Sequence, residues 1–298
     1  MHVTIVGLGL IGGSIAIDLK KQKFTPVLTG VDTNRENASE ALRLGLVDKV
    51  EKLEEAVPGA DLVIIAVPVD KVLSVLPVIL DAIPDHTTVT DMGSTKREVT
   101  EIVRNHPRRK NYVPAHPMAG TENSGPAAAV EGLFQGKICI ICDQEKSGPQ
   151  HLALVEKMLH QIGMDIAYMS SDEQDLSTAF VSHLPHAAAF ALANAVLAKE
   201  DRSIIFELAS GGFRSTVRLA KSSPDMWHPI FQQNRDYVVE AMDVYIEHLT
   251  KFRDSLKNRE DIILRDIIAN ANKIRSVLEN ENHSLIRSKE TNFKLYKK

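Results

Sequence analysis

Gly7-Leu8-Gly9-Leu10-Ile11-Gly12 is the stretch of this 298-residue sequence that decides the fold of its first half. It follows an apolar run, Val3 to Val6, that is typical of a β-strand, and it precedes a helical pattern from Ser14 to Lys20. A lone GxGxxG pattern is weak evidence, but a position between a strand and a helix makes it specific. We therefore expect Gly7, Leu8, Gly9, Leu10, Ile11 and Gly12 to hold the pyrophosphate of a dinucleotide at the helix N-terminus.

The second predicted strand, Val27 to Val31, is followed by Asp32, which lies twenty residues after Gly12. A carboxylate at this position accepts hydrogen bonds from the adenosine ribose hydroxyls and repels a 2′-phosphate. The sequence therefore predicts NAD rather than NADP as the cofactor. Arg35 is the nearby residue that could weaken this preference.

Short β-branched runs alternate with helical patterns through the first half of the chain, which is the rhythm of βαβ units. The continuous apolar run from Leu62 to Val67 is typical of a parallel strand that is buried on both faces. We therefore predict an α/β Rossmann domain over residues 1–170, with a doubly wound parallel sheet that a helix from Leu152 to Gly163 and a strand from Asp165 to Met169 complete. The other predicted strands are Thr87 to Thr90, Tyr112 to Ala115 and Lys137 to Ile141.

Residues 171–280 carry helical periodicity without strand signals, so the second domain is predicted to be all helical. These helices contain more apolar residues than one buried stripe requires, which indicates helix packing between two subunits of a homodimer. The last stretch, residues 281–298, is polar and Lys-rich and is predicted to be a tail. The predicted helices are Phe180 to Lys199, Ser203 to Leu208, Met226 to Leu256 and Glu260 to Leu278.

The composition narrows the class of protein. A net charge of −4 and a pI near 6.3 give no basic surface that would attract nucleic acid. The N-terminus shows no cationic leader and no apolar run is long enough to span a membrane, so a cytoplasmic protein without a membrane partner is expected. Cys139 and Cys142 are three apart on a predicted strand, point to opposite faces, and are expected to be core cysteines rather than a redox or metal pair.

Three further segments bring unusual residues to the carboxyl edge of the predicted sheet, where open parallel sheets bind ligands. Val67-Pro68 ends one strand, Ser94 follows the next, and His116 follows a third. Hydride removal from a carbinol requires a base for the hydroxyl proton, and neutral imidazole is suited to this near pH 7. We expect His116 to be that base and Ser94 to orient the substrate hydroxyl or the nicotinamide.

The helical half contains two motifs that can bind an anionic substrate. His183 and His186 lie three apart, which places them on one helix face, and no carboxylate or third ligand near them supports a metal site. A substrate contact or a role at the helix start is the better interpretation. Arg214 and Arg218 follow a glycine turn, and guanidinium groups bind carboxylates through paired hydrogen bonds, although solvated helix charges are an equally good explanation.

The sequence resembles the prephenate dehydrogenase family of tyrosine biosynthesis. The resemblance extends from about Val3 to about Tyr245 and implies a Rossmann domain, a helical dimerisation domain and NAD-dependent oxidative decarboxylation of prephenate to 4-hydroxyphenylpyruvate. The motifs that carry it are GLGLIGGS (7–14), DMGSTK (91–96), HPMAGTENSG (116–125), SHLPH (182–186), GGFRSTVRLA (211–220) and MWHPIFQQNRD (226–236).

The resemblance also implies roles for individual residues. His116 matches the histidine that accepts the hydroxyl proton, Ser94 the serine that orients substrate and nicotinamide, and Arg218 the arginine that binds a prephenate carboxylate. The remaining matches are His186 and Thr121 in the substrate pocket, Glu122 at its mouth, and Trp227 as an aromatic residue that looks across the dimer interface.

Two departures from the family pattern affect these expectations. Ser215 stands where the family commonly has an aspartate, so the carboxylate that would steady Arg218 is missing at that position. Residues beyond Leu278 are too few for the regulatory amino-acid-binding domain that many relatives carry, so tyrosine inhibition, if any, is expected at the active site.

Three alternative functions remain open on the sequence. Arogenate dehydrogenase differs only in a substrate amino group, and no residue separates the two substrates. A non-catalytic NAD-binding sensor would keep Gly7 to Gly12 but would not require a base at His116. A 3-hydroxyacid dehydrogenase would be expected to show a catalytic lysine in the helical half, where we find no such motif.

Overall fold

The computed structural model of the chain describes residues 1–199, 207 and 209–279. Most of the helix predicted from Ser203 to Leu208 and the predicted tail at 281–298 lie outside these residues.

The first half forms one eight-stranded sheet with the order β3-β2-β1-β4-β5-β6-β7-β8. The first six strands thus have the strand order of a dinucleotide-binding fold, with the crevice for a ligand between β1 and β4. The predicted Rossmann domain is confirmed. The strands are β1 His2–Val6, β2 Val27–Val31, β3 Lys49–Val50, β4 Leu62–Ile65, β5 Thr88–Asp91, β6 Tyr112–Pro117, β7 Ile138–Cys142 and β8 Asp165–Met169.

The sheet differs from the predicted parallel arrangement at the edge formed by β6, β7 and β8. β7 pairs antiparallel with β6, with His116 opposite Ile140, whereas the other neighbouring strands are parallel. The segment that connects β6 to β7 contains only the short 3-10 turn Pro126–Ala128, and an antiparallel pair needs no helical crossover. His116 consequently lies within β6 rather than in the loop after it, and β3 is a short strand that the sequence did not indicate.

Helices cover both faces of the sheet and enclose two apolar clusters. One cluster surrounds Ile5, Leu28 and Phe134, and the other surrounds Ile65, Leu76 and Tyr112. Cys139 and Cys142 are buried and unpaired, as expected of core cysteines. The helices of this domain are α1 Leu10–Lys21, α2 Arg35–Arg43, α3 Leu53–Ala56, α4 Val69–Ala82, α5 Arg97–Ile102 and α6 Pro149–Gln161.

The described part of the second half is helical, as predicted, but its helix boundaries differ. The helical run begins at Ser171 and contains a π-helical segment, Ala179–His183, while the helix predicted from Met226 to Leu256 is divided at Asn234. The helices are α7 Ser171–Thr178, α8 Leu184–Leu197, α9 Gly211–Thr216, α10 Pro224–Gln233, α11 Arg235–Lys257, α12 Asp261–Ala271 and α13 Ile274–Glu279.

One helical run, Ser171–Leu197, is long and apolar enough to cross a membrane by length and composition alone. Only 11% of its most apolar window is buried in the single chain. A single run of this kind is weak evidence for a membrane span, since an apolar helix that packs on another chain has the same composition.

Candidate active site

The glycine loop lies between β1 and α1 as predicted, and its three glycines have different roles. Gly7 adopts φ +97°, and a Cβ on it would lie 2.5 Å from the Ala66 carbonyl oxygen. A Cβ on Gly12 would meet the Gly7 carbonyl oxygen at 1.9 Å, so Gly12 permits the helix to pack on the turn. A Cβ on Gly9 would meet nothing within 4 Å. Gly9 therefore borders open space at the N-terminus of α1, where a pyrophosphate can approach.

The other residues of the loop can contribute through their backbone. The side chains of Leu8 and Leu10 are buried in the core. The backbone N–H of Leu8 donates to Oδ2 of Asp32 at 3.0 Å, and Asn34 N–H donates to Oδ1 at 2.8 Å. Asp32 is thus fixed beside the loop, at the end of β2. Ile11 is partly buried on the first turn of α1.

Val67 and Pro68 lie at the same edge of the sheet. A Cβ on Gly7 would come within 2.9 Å of Cγ1 of Val67, so the Val67 side chain lies directly against the glycine loop. Pro68 is exposed and immediately precedes α4. The crevice between β1 and β4 therefore has the glycine loop on one side and Val67-Pro68 on the other.

Ser94 and His116 are brought together by a residue that the sequence did not single out. Nε2 of Gln174, on α7, lies 3.0 Å from the Ser94 carbonyl oxygen and 3.0 Å from Nδ1 of His116. His116 is 9% exposed and Gln174 is fully buried. The predicted proximity of Ser94 and His116 is therefore present, and a helical-domain side chain links them.

A buried ion pair fixes the turn that carries Ser94. Nζ of Lys96 lies 2.7 Å from Oδ2 of Asp91 and also donates to the carbonyl oxygens of Gly93 at 2.5 Å and Thr95 at 3.3 Å. The hydroxyl of Tyr112 donates to Oδ1 of Asp91 at 2.5 Å. Lys96, Asp91 and Tyr112 are all fully buried. Both carbonyls that flank Ser94 are thereby held by one ammonium group.

The surroundings of the His116 imidazole favour its neutral form. Burial is the main cause that holds its pKa well below the ordinary value, and the charges of Lys96 and His183 lower it further. A neutral ring is the form that can accept a proton. His116 therefore has the protonation state that a general base requires.

The π-helical segment brings the two histidines of the helical half into an aromatic cluster. His186 stacks on Trp227 with ring centroids 3.6 Å apart, and His183 meets the same indole edge-on at 5.8 Å. Nδ1–H of His186 donates to the Ser182 carbonyl oxygen at 2.9 Å, so its Nε2 is the free acceptor. π-Helical turns often occur at functional sites, and this one separates Gln174 from His186.

Trp227 is buried where the two domains of the single chain meet. It is 6% exposed and packs with Val69 and Ile230 inside its own chain, where the start of α4 meets α10. Its stack with His186 places it beside the predicted substrate pocket. The expectation that it looks across a dimer interface stays a prediction.

Arg218 has a carboxylate partner that replaces the one missing at Ser215. Nη1 of Arg218, in the 3-10 turn Arg218–Lys221, lies 3.5 Å from Oε2 of Glu122, and both side chains are exposed. The charge of Arg218 also lowers the pKa of His186 after the larger effect of burial. Arg218, Glu122 and His186 are thus brought together, while Thr121 is exposed and accepts a hydrogen bond from Asn123 N–H of its own loop.

Buried polar contacts join the two domains behind the site, and the sequence did not reveal them. Oδ1 and Oδ2 of Asp175 accept from the backbone N–H groups of Lys96 at 2.8 Å and Arg97 at 2.9 Å. Nδ2 of Asn234 donates to the Asp175 carbonyl oxygen at 2.7 Å and lies 3.0 Å from Nδ1 of His183. Lys96, His183 and Asn234 stood within the motifs DMGSTK, SHLPH and MWHPIFQQNRD, but nothing in those motifs indicated these contacts. Asp175 and Arg97 are polar positions in helices, where periodicity alone assigns them to the surface.

No metal site competes with this interpretation in the described part of the chain. Among those residues, no group of three or more His, Cys, Asp or Glu side chains could hold a metal ion.

The residues at the β1–β4 crevice fit a dinucleotide. The open space beside Gly9, the N-terminus of the 12-residue helix α1 and the carboxylate of Asp32 provide the three groups that recognise pyrophosphate and ribose. A neutral histidine and an arginine lie beyond this crevice. The fold and site define a dinucleotide-dependent dehydrogenase with a helical second domain.

The chain belongs to the prephenate dehydrogenase family. Residues 15–168 match the family model described as "Prephenate dehydrogenase, nucleotide-binding domain" and residues 170–270 match "Prephenate dehydrogenase, dimerization domain". The chain is 34% identical to prephenate dehydrogenase of Bacillus subtilis over 262 residues, which cover 87% of this chain and 71% of that protein.

Solved structures agree with this assignment. Prephenate dehydrogenase from A. aeolicus, in complex with hydroxyphenyl propionate and NAD+, superposes with a TM-score of 0.84 at 31% identity and covers 93% of this chain and 98% of that one. Synechocystis arogenate dehydrogenase superposes with a TM-score of 0.75 at 26% identity and covers 93% and 100% of the two chains.

Proposed function

We propose that this protein is an NAD-dependent oxidoreductase that converts prephenate to 4-hydroxyphenylpyruvate in tyrosine biosynthesis. The observation that carries the proposal is a buried His116, whose surroundings favour its neutral form, joined to Ser94 through Gln174 in the sheet that also forms the dinucleotide crevice. Family membership and the similarity to the A. aeolicus enzyme support the same reaction. We further propose residues 1–170 as the cofactor domain and 171–280 as the substrate and dimerisation domain.

The proposed mechanism assigns binding to the helical half. Arg218 pairs with a substrate carboxylate through charge-assisted hydrogen bonds, and Glu122 holds the guanidinium in place until substrate arrives. His186, fixed by Ser182 and Trp227, presents its free Nε2 to the pocket, and Thr121 borders it. The dianionic substrate thus finds a local cation that the overall charge of −4 does not provide.

The sheet domain performs the proton chemistry. His116 accepts the proton of the substrate hydroxyl, and Ser94, whose flanking carbonyls are held by Lys96, orients that hydroxyl. When NAD is bound by Gly7 to Gly12, with Asp32 on its ribose, it supplies the hydride acceptor. Loss of CO2 then restores the aromatic ring, which makes the overall reaction irreversible.

Arogenate is the second candidate substrate, because the chain is similar to an arogenate dehydrogenase over nearly its whole length. Both substrates carry the ring hydroxyl and the ring carboxylate that the proposed groups address. A non-catalytic NAD-binding sensor has less support, since it does not require a buried neutral histidine at the cofactor edge.

We also propose a homodimer that forms through the helical half and works in the cytoplasm. The match to a dimerisation domain and the exposed apolar side chains of α11 and α12 support the dimer. The second copy would also cover exposed apolar side chains of the run from Ser171 to Leu197, such as Val181 and Leu192, which accounts for this run without a membrane.

The test is NADH formation by the purified protein with prephenate or arogenate, each offered with NAD and with NADP. We expect turnover with prephenate and preference for NAD, since Asp32 disfavours a 2′-phosphate. His116→Asn is expected to lower kcat by about 10²- to 10⁴-fold while NAD still binds. Absence of turnover with both substrates would overturn the enzymatic proposal, and an unaffected rate in His116→Asn would remove His116 as the base.

A further inference from the structure

The buried amide of Gln174 has no part in the mechanism so far. Its Nε2 lies 3.0 Å from the Ser94 carbonyl oxygen, 3.0 Å from Nδ1 of His116 and 3.3 Å from Oγ1 of Thr178. Its Oε1 is buried and makes no hydrogen bond within the described residues. One amide therefore contacts both residues to which the proposed chemistry is assigned.

The surroundings determine which end of this amide faces Ser94 and His116. The Ser94 carbonyl oxygen can only accept a hydrogen bond. The Thr178 hydroxyl donates to the backbone carbonyls of Gln174 at 2.9 Å and Asp175 at 3.2 Å, so its oxygen also acts as an acceptor for Gln174. These neighbours therefore favour the orientation in which the amide nitrogen of Gln174, which donates, faces Ser94 and His116.

This orientation has a consequence for His116. An amide N–H that points at Nδ1 makes Nδ1 an acceptor, so the neutral ring carries its proton on Nε2. A protonated ring would bring Nδ1–H against the amide N–H, which opposes protonation. A ring that takes a substrate proton at Nε2, however, needs its own proton on Nδ1 and an acceptor beside it.

We propose, on the basis of the function proposed above, that Gln174 is a positioning residue that sets which ring nitrogen of His116 carries the proton. In the orientation described, it holds the Nε2–H form, in which the ring donates to the pocket. When the amide turns over, Oε1 accepts from Nδ1–H and the lone pair of Nε2 becomes free.

The protons balance in this scheme. The ring loses the Nε2 proton to solvent and gains one at Nδ1 from solvent, so its charge is unchanged. The substrate O–H proton then passes to Nε2, the ring becomes imidazolium, and the hydride goes to NAD. The first orientation leaves the buried Oε1 without a hydrogen bond, and the second removes the amide donor from the partly buried Ser94 carbonyl, so turning the amide over exchanges one unsatisfied group for another.

The first experiment needs no substrate. In NMR spectra of the full-length protein with ¹⁵N-labelled histidine, we expect free wild type to show His116 protonated on Nε2, with the signal assigned by its loss in His116→Asn. Gln174→Glu, which offers only acceptors when ionised, is expected to move the proton to Nδ1. A wild-type His116 that carries its proton on Nδ1 would overturn the proposal, whether or not prephenate is turned over.

The second experiment is the pH profile of kcat/KM. The acid limb of this profile is the fall in kcat/KM at low pH. In Gln174→Glu we expect this fall to begin about one pH unit higher than in wild type, because a carboxylate at Nδ1 stabilises imidazolium. In Gln174→Met we expect the pH of the acid limb to rise by less than in Gln174→Glu. We also expect kcat to fall by about tenfold, since the position of the ring proton is no longer controlled. NAD affinity is expected to stay the same in both variants.

Gln233→Met is the matched control. Gln233 is also buried at the domain junction and its Oε1 accepts from Oγ1 of Thr95 at 2.6 Å, but it does not contact His116. We expect this variant to leave the acid limb and the His116 ¹⁵N signal in place. If Gln174→Met and Gln233→Met lower kcat equally with the same acid limb as wild type, Gln174 only supports packing and the proposal fails.

Discussion

The sheet domain encloses its apolar residues within one chain, whereas the helical half leaves many of its own exposed. Within residues 171–199 and 209–279, the buried apolar residues are Ala179, Ala189, Trp227, Ile230, Val238 and Ala241. In the same segments the exposed large apolar residues include Val181, Leu192, Val239, Val244, Ile246, Leu249, Leu256, Ile262, Ile263, Ile268, Ile274 and Val277.

This contrast separates two tasks. His116 lies on β6 and Ser94 in the turn after β5, and these positions are fixed by a closed core and by the buried Lys96. Arg218 lies in a 3-10 turn and His186 on α8, in a half of the chain whose apolar side chains are largely exposed in the single chain. We therefore expect changes in the sheet domain to act on folding and chemistry, and changes in the helical half to act on assembly and binding.

The largest effect is expected from Lys96→Met, which tests how strongly the closed domain depends on its buried ion pair. The change leaves the Asp91 carboxylate buried without its cation, and breaking such a pair costs about 3–5 kcal/mol. Lys71→Met is the control, because its partner Asp70 lies 3.0 Å away at the surface, where a pair contributes about 0–1 kcal/mol. Urea unfolding measures both, and equal costs would contradict the assigned role of Lys96.

The second prediction concerns the exposed face of the helical half. Leu249 on α11 and Val78 on α4 are each 54% exposed in the single chain. If a second copy covers α11, Leu249→Asp weakens the dimer by about 2–4 kcal/mol, whereas Val78→Asp leaves association unchanged. Sedimentation velocity over a concentration series distinguishes them. A dimer that tolerates Leu249→Asp would place the interface elsewhere.

Arg218→Ala separates binding from chemistry. Loss of a charge-assisted contact to a substrate carboxylate is expected to weaken substrate binding by about 2 kcal/mol, which raises KM roughly 30-fold with little change in kcat. Arg214→Ala is the matched control, since Arg214 is exposed and its Nε donates to the Ala209 carbonyl oxygen at 3.3 Å. Steady-state kinetics with prephenate test this, and a fall in kcat alone would contradict the binding role.

The smallest effect is the pH dependence of wild-type kcat/KM. Burial, Lys96 and His183 hold the pKa of His116 well below its usual range, so the neutral base persists as the pH falls and activity is lost only as the pH passes below that lowered value. An ordinary histidine with a pKa of about 6.5 would lose about threefold between pH 7 and 6. We expect a smaller change over this interval. A threefold loss would show that His116 titrates normally.

The sequence was sufficient for the parts of the site that parallel strands bring together. Gly7 to Gly12, Ser94 and His116 follow or end strands of one sheet, so their common edge follows from topology alone. The direction of β7 could not be predicted in this way, because this antiparallel strand is buried along nearly its whole length and so has the continuous apolar run that is typical of a parallel strand.

The polar contacts between the domains could not be predicted, for a different reason. Gln174 and Asp175 are polar residues in a helix, and hydrophobic periodicity places such residues at the surface. The helix break at Asn234 also lacks a proline or glycine signal at that residue, and it coincides with side-chain bonds to Asp175 and His183. These residues are specified by tertiary partners distant in sequence.

The π-helical segment Ala179–His183 changes the angular phase of the run from Ser171 to Leu197. In an uninterrupted α-helix, Gln174 and His186 are twelve residues apart and would project roughly 120° from each other. A π turn adds one residue without advancing the helix, which reduces this angle to roughly 20°. A single inserted residue thus brings Gln174, which contacts the general base His116, and His186 of the substrate pocket to the same side of the helix. Deleting one residue from the π segment would rotate His186 away while Gln174 stayed in place.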